Sequence, residues 1–219
     1  MQPQLLIRAL CGITSTYPNV ISFSEFRLSS GIRSKTVAKK VLLFLNKEGI
    51  GSLVSEGIQF SINDRVKLAL LAVEMGCDME QTSAILQWRD FECLTSKILD
   101  SLGYSVKSNV RFTNPRLEID VLGIDSKFAV AVDCKHWKHN NRSAISQCAK
   151  KQQYRTQVLL DSTRDKILSA VPVLVTLYHS NIYFVCGIPI VPIYKFKLFV
   201  EELPSYISDI TVIRQQCTE

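Results

Sequence analysis

The sequence has no apolar run of the roughly 18 residues that a membrane-crossing helix needs. The nearest stretch, Val171 to Tyr194, is broken by His179, Ser180, Asn181 and three prolines. Met1 to Leu10 lacks the basic, apolar and small-residue order of a signal peptide. No two of the seven cysteines form a CxxC pair, and their number is odd. That points away from a disulfide frame and toward free thiols in a reducing compartment, so the expected location is cytoplasmic. No Gly-rich phosphate loop, GxSxG elbow or paired-carboxylate glycosidase pattern stands out. Internal repeats and low-complexity tracts are also missing.

A lack of acid is the most informative absence. Residues 134–160 hold Lys135, Lys138, Arg142, Lys150, Lys151 and Arg155, with His136 and His139, and no Asp or Glu. Residues 23–48 hold Arg27, Arg33, Lys35, Lys39, Lys40 and Lys47 against Glu25 and Glu48. The net charge is +6. Two separate basic stretches suit a polyanionic partner. A solvated helix face is the plainer reading of either stretch taken alone. The chain has 219 residues, 47% of them hydrophobic, enough for one large globular domain or two modest ones.

The first 60 residues read as three helices and a hairpin. Leu5 to Ile13 is a short apolar helix, and Tyr17-Pro18-Asn19 breaks it. Ser22, with Glu25 three residues on, opens a second helix that Gly31 ends. Ser34 caps a third, with Val37, Val41, Phe44 and Leu45 on one face and Lys35, Lys39 and Lys40 elsewhere on its surface. Leu53-Val54 and Ile58-Gln59 flank Ser55-Glu56-Gly57 as a tight hairpin. This order resembles a winged helix-turn-helix domain. The resemblance implies that Lys35, Lys39 and Lys40 meet DNA, although the same module also binds proteins. Asn63 then begins an apolar helix to Met75, expected to be buried; a homodimer contact is one role for it. Gly76-Cys77-Asp78 breaks the chain before a second connecting helix, Met79 to Gln87.

From Trp88 the pattern changes. Trp88 to Leu102 is a helix with Phe91, Leu94, Ile98 and Leu102 as its apolar stripe, and Trp88 and Phe91 are expected in the core. Strands follow at Tyr104–Val110, Leu117–Ile124 and Phe128–Cys134. Ala144 to Asp161 is a long basic helix. Val171–Tyr178 and Ile182–Ile188 read as strands, and Lys195–Leu203 as a closing helix. The expected fold is therefore α+β in two domains, the second a mixed central sheet flanked by helices. The expected limits are 1–62 for the winged helix, 63–87 for a helical linker and 88–219 for the second domain.

Asp120 lies on the second of these strands, and Asp133-Cys134-Lys135 ends the third. Strand alternation puts Asp133 and Lys135 on one face. A hairpin between the two strands would bring Asp120 to the same edge. Carboxylates hold hard divalent cations such as Mg²⁺, and a neighbouring lysine can orient or help deprotonate water, which is what phosphodiester hydrolysis needs. The Cys134 backbone carbonyl is a further metal ligand candidate. A charged i, i+2 pair closing the apolar run Ala129–Val132 is costly without a purpose. Glu118, two residues before Asp120, is either another metal carboxylate or an ion-pair partner of Arg116 or Lys127. Cys134, His136 and His139 have zinc-like spacing but no evident fourth ligand.

Trp88-x-x-Phe91-Glu92, Glu118-Ile119-Asp120 and Asp133-x-Lys135 together resemble the PD-(D/E)xK nuclease superfamily, in particular its Mrr-like and archaeal Holliday-junction-resolvase-like branches. The resemblance covers about residues 88–200 and implies a restriction-endonuclease-like domain. It also implies metal binding by Asp120 and Asp133, a water-directing role for Lys135, and Glu92 as a helix carboxylate near the metal. Such families often place a glutamine on the next helix, here Gln147. His136, Lys138, Arg142, Lys150 and Lys151 would then contact phosphates or bases. The activity so implied is a Mg²⁺-dependent DNA endonuclease, with Mn²⁺ able to replace Mg²⁺. Two rivals stay open: a DNA-binding regulator or scaffold with an inert nuclease-like domain, and an RNA nuclease.

Overall fold

The computed structural model describes residues 1–16, 20–137, 141–163, 166–177 and 182–215. The break expected at Tyr17-Pro18-Asn19 lies outside them. The chain divides into two compact units, Met1–Cys93 and Leu94–Glu219.

The first unit runs α1 (Pro3–Thr16), α2 (Phe23–Ser29), α3 (Lys35–Lys47), β1 (Ser52–Val54), β2 (Gly57–Gln59), α4 (Ile62–Glu74) and α5 (Met79–Ile85). Helix α6 (Trp88–Ser101) begins in this unit and ends in the next. The helix starts follow local chemistry. Ser22 accepts from the Glu25 amide while Glu25 accepts from the Ser22 amide, and Ser34 accepts from the Val37 amide. A cap of this kind contributes about 1 kcal/mol. Ser61 and Asp64 form a second capping box, so α4 starts at Ile62, ahead of the expected Asn63. Leu6, Leu10 and Ile13 of α1 are buried with Phe26, Val41, Leu45 and Leu68 as the core of this unit. Strands β1 and β2 pair antiparallel, and Ile21, ahead of α2, adds an antiparallel bridge to Ile58. Gly57 permits that approach: its φ is 155°, and a Cβ there would run into the Ile21 carbonyl oxygen.

Helix α4 departs from the expectation of an all-round apolar surface. Its largest fully buried side chain is Arg65, whereas Leu70, Leu71 and Val73 are only half-buried. Arg65 is sealed against Asp90 of α6, with Nη2 2.6 Å from Oδ1 and Nε 3.0 Å from Oδ2. Asp90 also accepts from the Gln87 amide at 3.0 Å, which caps the start of α6. Phe91 is fully buried, as expected, but Trp88 is 51% exposed. A residue at the first turn of a helix has no preceding turn to cover it.

The second unit continues with β3 (Ser105–Thr113), β4 (Arg116–Asp125), β5 (Phe128–Lys135), α7 (Arg142–Ser162), β6 (Ser169–Thr176), β7 (Phe184–Val185), β8 (Ile188–Pro192), α8 (Ile193–Glu201), α9 (Leu203–Tyr206) and β9 (Ile213–Arg214). The fold is α+β, with one mixed sheet in the order β3-β4-β5-β6-β8-β7 and β9 beside β6. Neighbours from β3 to β5 are antiparallel, and β5, β6 and β8 are parallel. Helix α7 supplies Leu159 and Leu160 to a core with Leu122, Ala129, Ala131 and Ala170. Its first half adds Ile145 and Ala149 against Leu174, Ile188 and Ile190.

The single strand expected over Ile182–Ile188 is instead a hairpin. Cys186 and Gly187 take φ of 51° and 74°, and the chain turns back between β7 and β8. Two successive positive φ values are the signature of a two-residue hairpin turn, which a Cys-Gly pair signals weakly. Strand β9 is too short to carry a periodic pattern.

Candidate active site

Strands β4 and β5 pair as far as Val121↔Val132, where their ladder ends. Strand β5 continues on β6 to Lys135↔Thr176. The two strands therefore part where β4 carries Asp120 and β5 carries Asp133. A side chain replaces the missing ladder bond: Asp120 Oδ2 accepts from the Cys134 amide at 2.7 Å. The Cys134 thiol is buried and lies 3.5 Å from Thr95 Oγ1 of α6.

Asp133 is 2% exposed and sits between two cations. Its Oδ1 is 2.7 Å from Arg155 Nη1 and its Oδ2 is 2.7 Å from Lys135 Nζ. Arg155 comes from α7, where buried Gln152 donates to the Ala131 carbonyl at 2.9 Å and steadies the helix on β5. Lys135 Nζ also stands 5.8 Å from the centre of the Trp137 ring. Trp137 packs on the Ile145 and Ala149 cluster.

Electrostatics separates the two carboxylates. Burial first, and then the charge of Asp133, push the Asp120 carboxyl up to about 6, against the Cys134 amide, Lys135 and Arg155. For Lys135, burial works to lower the pKa. The charge and hydrogen bond of Asp133, helped by Cys148 and Asp120, prevail and hold it above the ordinary lysine value. Lys135 is therefore an ammonium donor at neutral pH, suited to orient water or bear on an anion rather than to remove a proton.

The expected residues separate accordingly. Asp120, Asp133, Lys135 and the Cys134 amide meet in the second unit. Glu92 is buried on α6, in the first unit. Gln147 is exposed on α7, as are Arg142, Lys150 and Lys151, and His136 is half-buried. Lys35, Lys39 and Lys40 are exposed on α3. Lys138 and His139 lie outside the described residues. Glu118 pairs with Arg111 at 3.4 Å, its partner across the β3–β4 register, rather than with Arg116 or Lys127.

No family model matches the chain, and no curated protein matches it. Solved structures align with it weakly. Protein VC1899 from Vibrio cholerae is 14% identical with a TM-score of 0.41, covering 95% of this chain and 52% of that one. Can2 from Sulfobacillus thermosulfidooxidans, solved in complex with cyclic tetra-adenylate, is 13% identical with a TM-score of 0.34, covering 91% and 51%. This chain spans about half the length of each. Likenesses of this size carry no argument about activity, which has to come from the site itself.

Arg155 and Gln152 are the site members that the motif reading missed. Cys148, Gln152 and Arg155 recur at i, i+4 and i+7, so they share one helix face. The sequence marks this helix as long and basic. Its meeting with Asp133 depends on how α7 crosses the sheet.

Proposed function

We propose that this chain is a metal-dependent nuclease that hydrolyses phosphodiester bonds in DNA. The carrying observation is the cluster at the parting of β4 and β5: a buried Asp133 held 2.7 Å from Lys135 Nζ, with Asp120 beside it. The donor types fit Mg²⁺, or Mn²⁺ in its place, because Mg²⁺ is commonly held by one or two carboxylates and keeps several waters. Among the described residues no group of three or more His, Cys, Asp or Glu side chains comes together as a metal site. The described residues thus offer the two carboxylates Asp120 and Asp133, with water and substrate oxygens to complete the shell. Such an ion, when bound, would neutralise phosphate charge and acidify a water.

The chain's own residues divide the remaining work. Asp120 is ionised above about pH 6 and can then serve as a ligand. Asp133 fixes the Lys135 ammonium, which donates toward the attacking water or the phosphoryl oxygen. Arg155 balances the second oxygen of Asp133 and offers a guanidinium to the phosphate side. Glu92 enters this reading by sequence resemblance alone.

The first unit is proposed to be a winged helix that delivers the enzyme to DNA. Three features support this: the order of α1 to β2, the antiparallel bridge that Ile21 adds beside the hairpin, and the exposed Lys35, Lys39 and Lys40 on α3.

The test is a cleavage panel of labelled duplex, single-stranded, flap, junction and RNA substrates with Mg²⁺, Mn²⁺ or EDTA. Metal-dependent cutting that disappears in Asp133→Ala and Lys135→Ala, with binding retained, is the expected result. Cleavage unchanged in Asp133→Ala overturns the reading. Binding without any cutting favours an inert DNA-binding protein, and cutting of RNA alone changes the polymer.

A further inference from the structure

A cleft of about 650 Å³ opens beside the Asp133 cluster, lined by Arg111, Phe112, Thr113, Arg116, Leu117, Glu118 and Arg155. Three guanidinium groups thus face one carboxylate. The hairpin of β3 and β4 supplies all of the lining except Arg155, which reaches in from α7 while holding Asp133 at 2.7 Å. Glu118 and Arg116 precede Asp120 on β4 by two and four residues, about 7 and 13 Å along an extended strand. The cations therefore lead away from the site in steps rather than clustering at one point.

None of the hairpin cations is committed to holding the fold. Arg111 is 74% exposed and Glu118 38% exposed, so their pair at 3.4 Å contributes little to the fold. Arg116, at the tip, is also exposed. Such arginines can be given up to a ligand at little cost. The planar fork of arginine suits phosphate oxygens in particular.

We infer that this cleft holds the backbone phosphates of a nucleic-acid strand next to the reacting phosphate, with Arg111 and Arg116 as its grips and Glu118 as a brake on affinity. The identity of the polyanion rests on the nuclease reading, whereas the existence of an anion-binding cleft does not.

The experiment measures binding without catalysis. Fluorescein-labelled 12-nucleotide single strands, one DNA and one RNA of the same sequence, are titrated in EDTA at several salt concentrations and followed by anisotropy. The double variant Arg111→Ala with Arg116→Ala should weaken binding at least tenfold on one or both polymers. It should also flatten the log–log salt slope by about 1.4, since each contact to a single strand contributes about 0.7. Glu118→Gln should tighten binding about threefold, a direction that misfolding cannot produce. Unchanged affinity and slope in the double variant, or unchanged affinity in Glu118→Gln should the double variant fail to fold, overturns the inference. The two readings fail separately. A wild type that never cuts with Mg²⁺ but loses binding in the double variant sinks the nuclease and keeps the cleft. A wild type that cuts, with both variants binding normally, does the reverse.

Discussion

Asp90 in the first unit and Asp133 in the second are both nearly inaccessible, at 0% and 2% exposure, and both face cations. Their surroundings differ in kind. Asp90 is gripped by Nε and Nη2 of a single arginine that is itself fully buried, and it accepts a backbone amide as well. Asp133 is shared between two cations from different elements, and these keep 19% and 22% of their side chains in solvent. A second carboxylate, Asp120, adds repulsion beside it. The first arrangement satisfies a buried charge and leaves nothing to react with. The second leaves charges that can be exchanged for a ligand. Burial and ion pairing alone therefore do not mark a site; what marks it is whether the counter-ions can reach outward.

The sharpest way to break this comparison is to remove each aspartate. Asp90→Asn strands the Arg65 charge in the core, and losing one partner of a buried pair costs about 3–5 kcal/mol. Urea unfolding should show that loss in the transition of the first unit. Arg65→Lys is the next largest effect. A single ammonium cannot reproduce the two-nitrogen grip on both Asp90 oxygens, so a loss of about 2 kcal/mol is expected, the worth of one hydrogen bond to a charged group.

Asp133→Asn should cost only about 1 kcal/mol in the same measurement, because Lys135 and Arg155 can turn to water. Its effect is expected on the titration of Asp120 and, on the proposed function, on cleavage. Asp120 has a folded pKa raised from 3.8 to about 6, so its proton stabilises the fold. That contribution is complete below about pH 4 and is lost as pH rises through about 6. In EDTA, wild-type Tm measured relative to Asp120→Asn should therefore fall between about pH 4 and 6 and level off above that. In Asp133→Asn the fall should shift to lower pH without vanishing, since burial, the larger cause, remains. An identical pH profile in wild type and Asp120→Asn would remove Asp120 from the account.

Much of this was legible in the sequence, for stated reasons. The meeting of Asp120, Asp133 and Lys135 was legible because period-two alternation puts Asp133 and Lys135 on one strand face, a hairpin brings Asp120 to the same edge, and an i, i+2 charge pair at the end of an apolar strand is conspicuous. The caps at Ser22 and Ser34 were legible because capping is local. What escaped was set by distance along the chain. Arg65 and Asp90 are 25 residues apart, and nothing near either announces the other. An arginine on an apolar helix reads as its polar face until the partner is known. Arg155 was visible only as one more basic residue of α7. The Cys186-Gly187 turn was hidden because cysteine is an uncommon choice for a positive φ.

The smallest expected effect separates the two arginines. Arg155 meets Asp133 through one nitrogen and one oxygen, at 2.7 Å, with a further 3.5 Å contact to Gln152 Oε1. A lysine can make that single bond, and its stem can follow the same partly exposed path. Arg155→Lys should therefore change unfolding free energy by less than about 0.5 kcal/mol, within the range of surface substitutions, against about 2 kcal/mol for Arg65→Lys. If Arg155 also serves the phosphate side, Arg155→Lys should weaken oligonucleotide binding severalfold despite its neutral stability, because a point charge replaces a planar fork. Equal stability losses for the two substitutions would mean that Arg155 is locked in place like Arg65, and the contrast between a sealed charge and an exchangeable one would not hold.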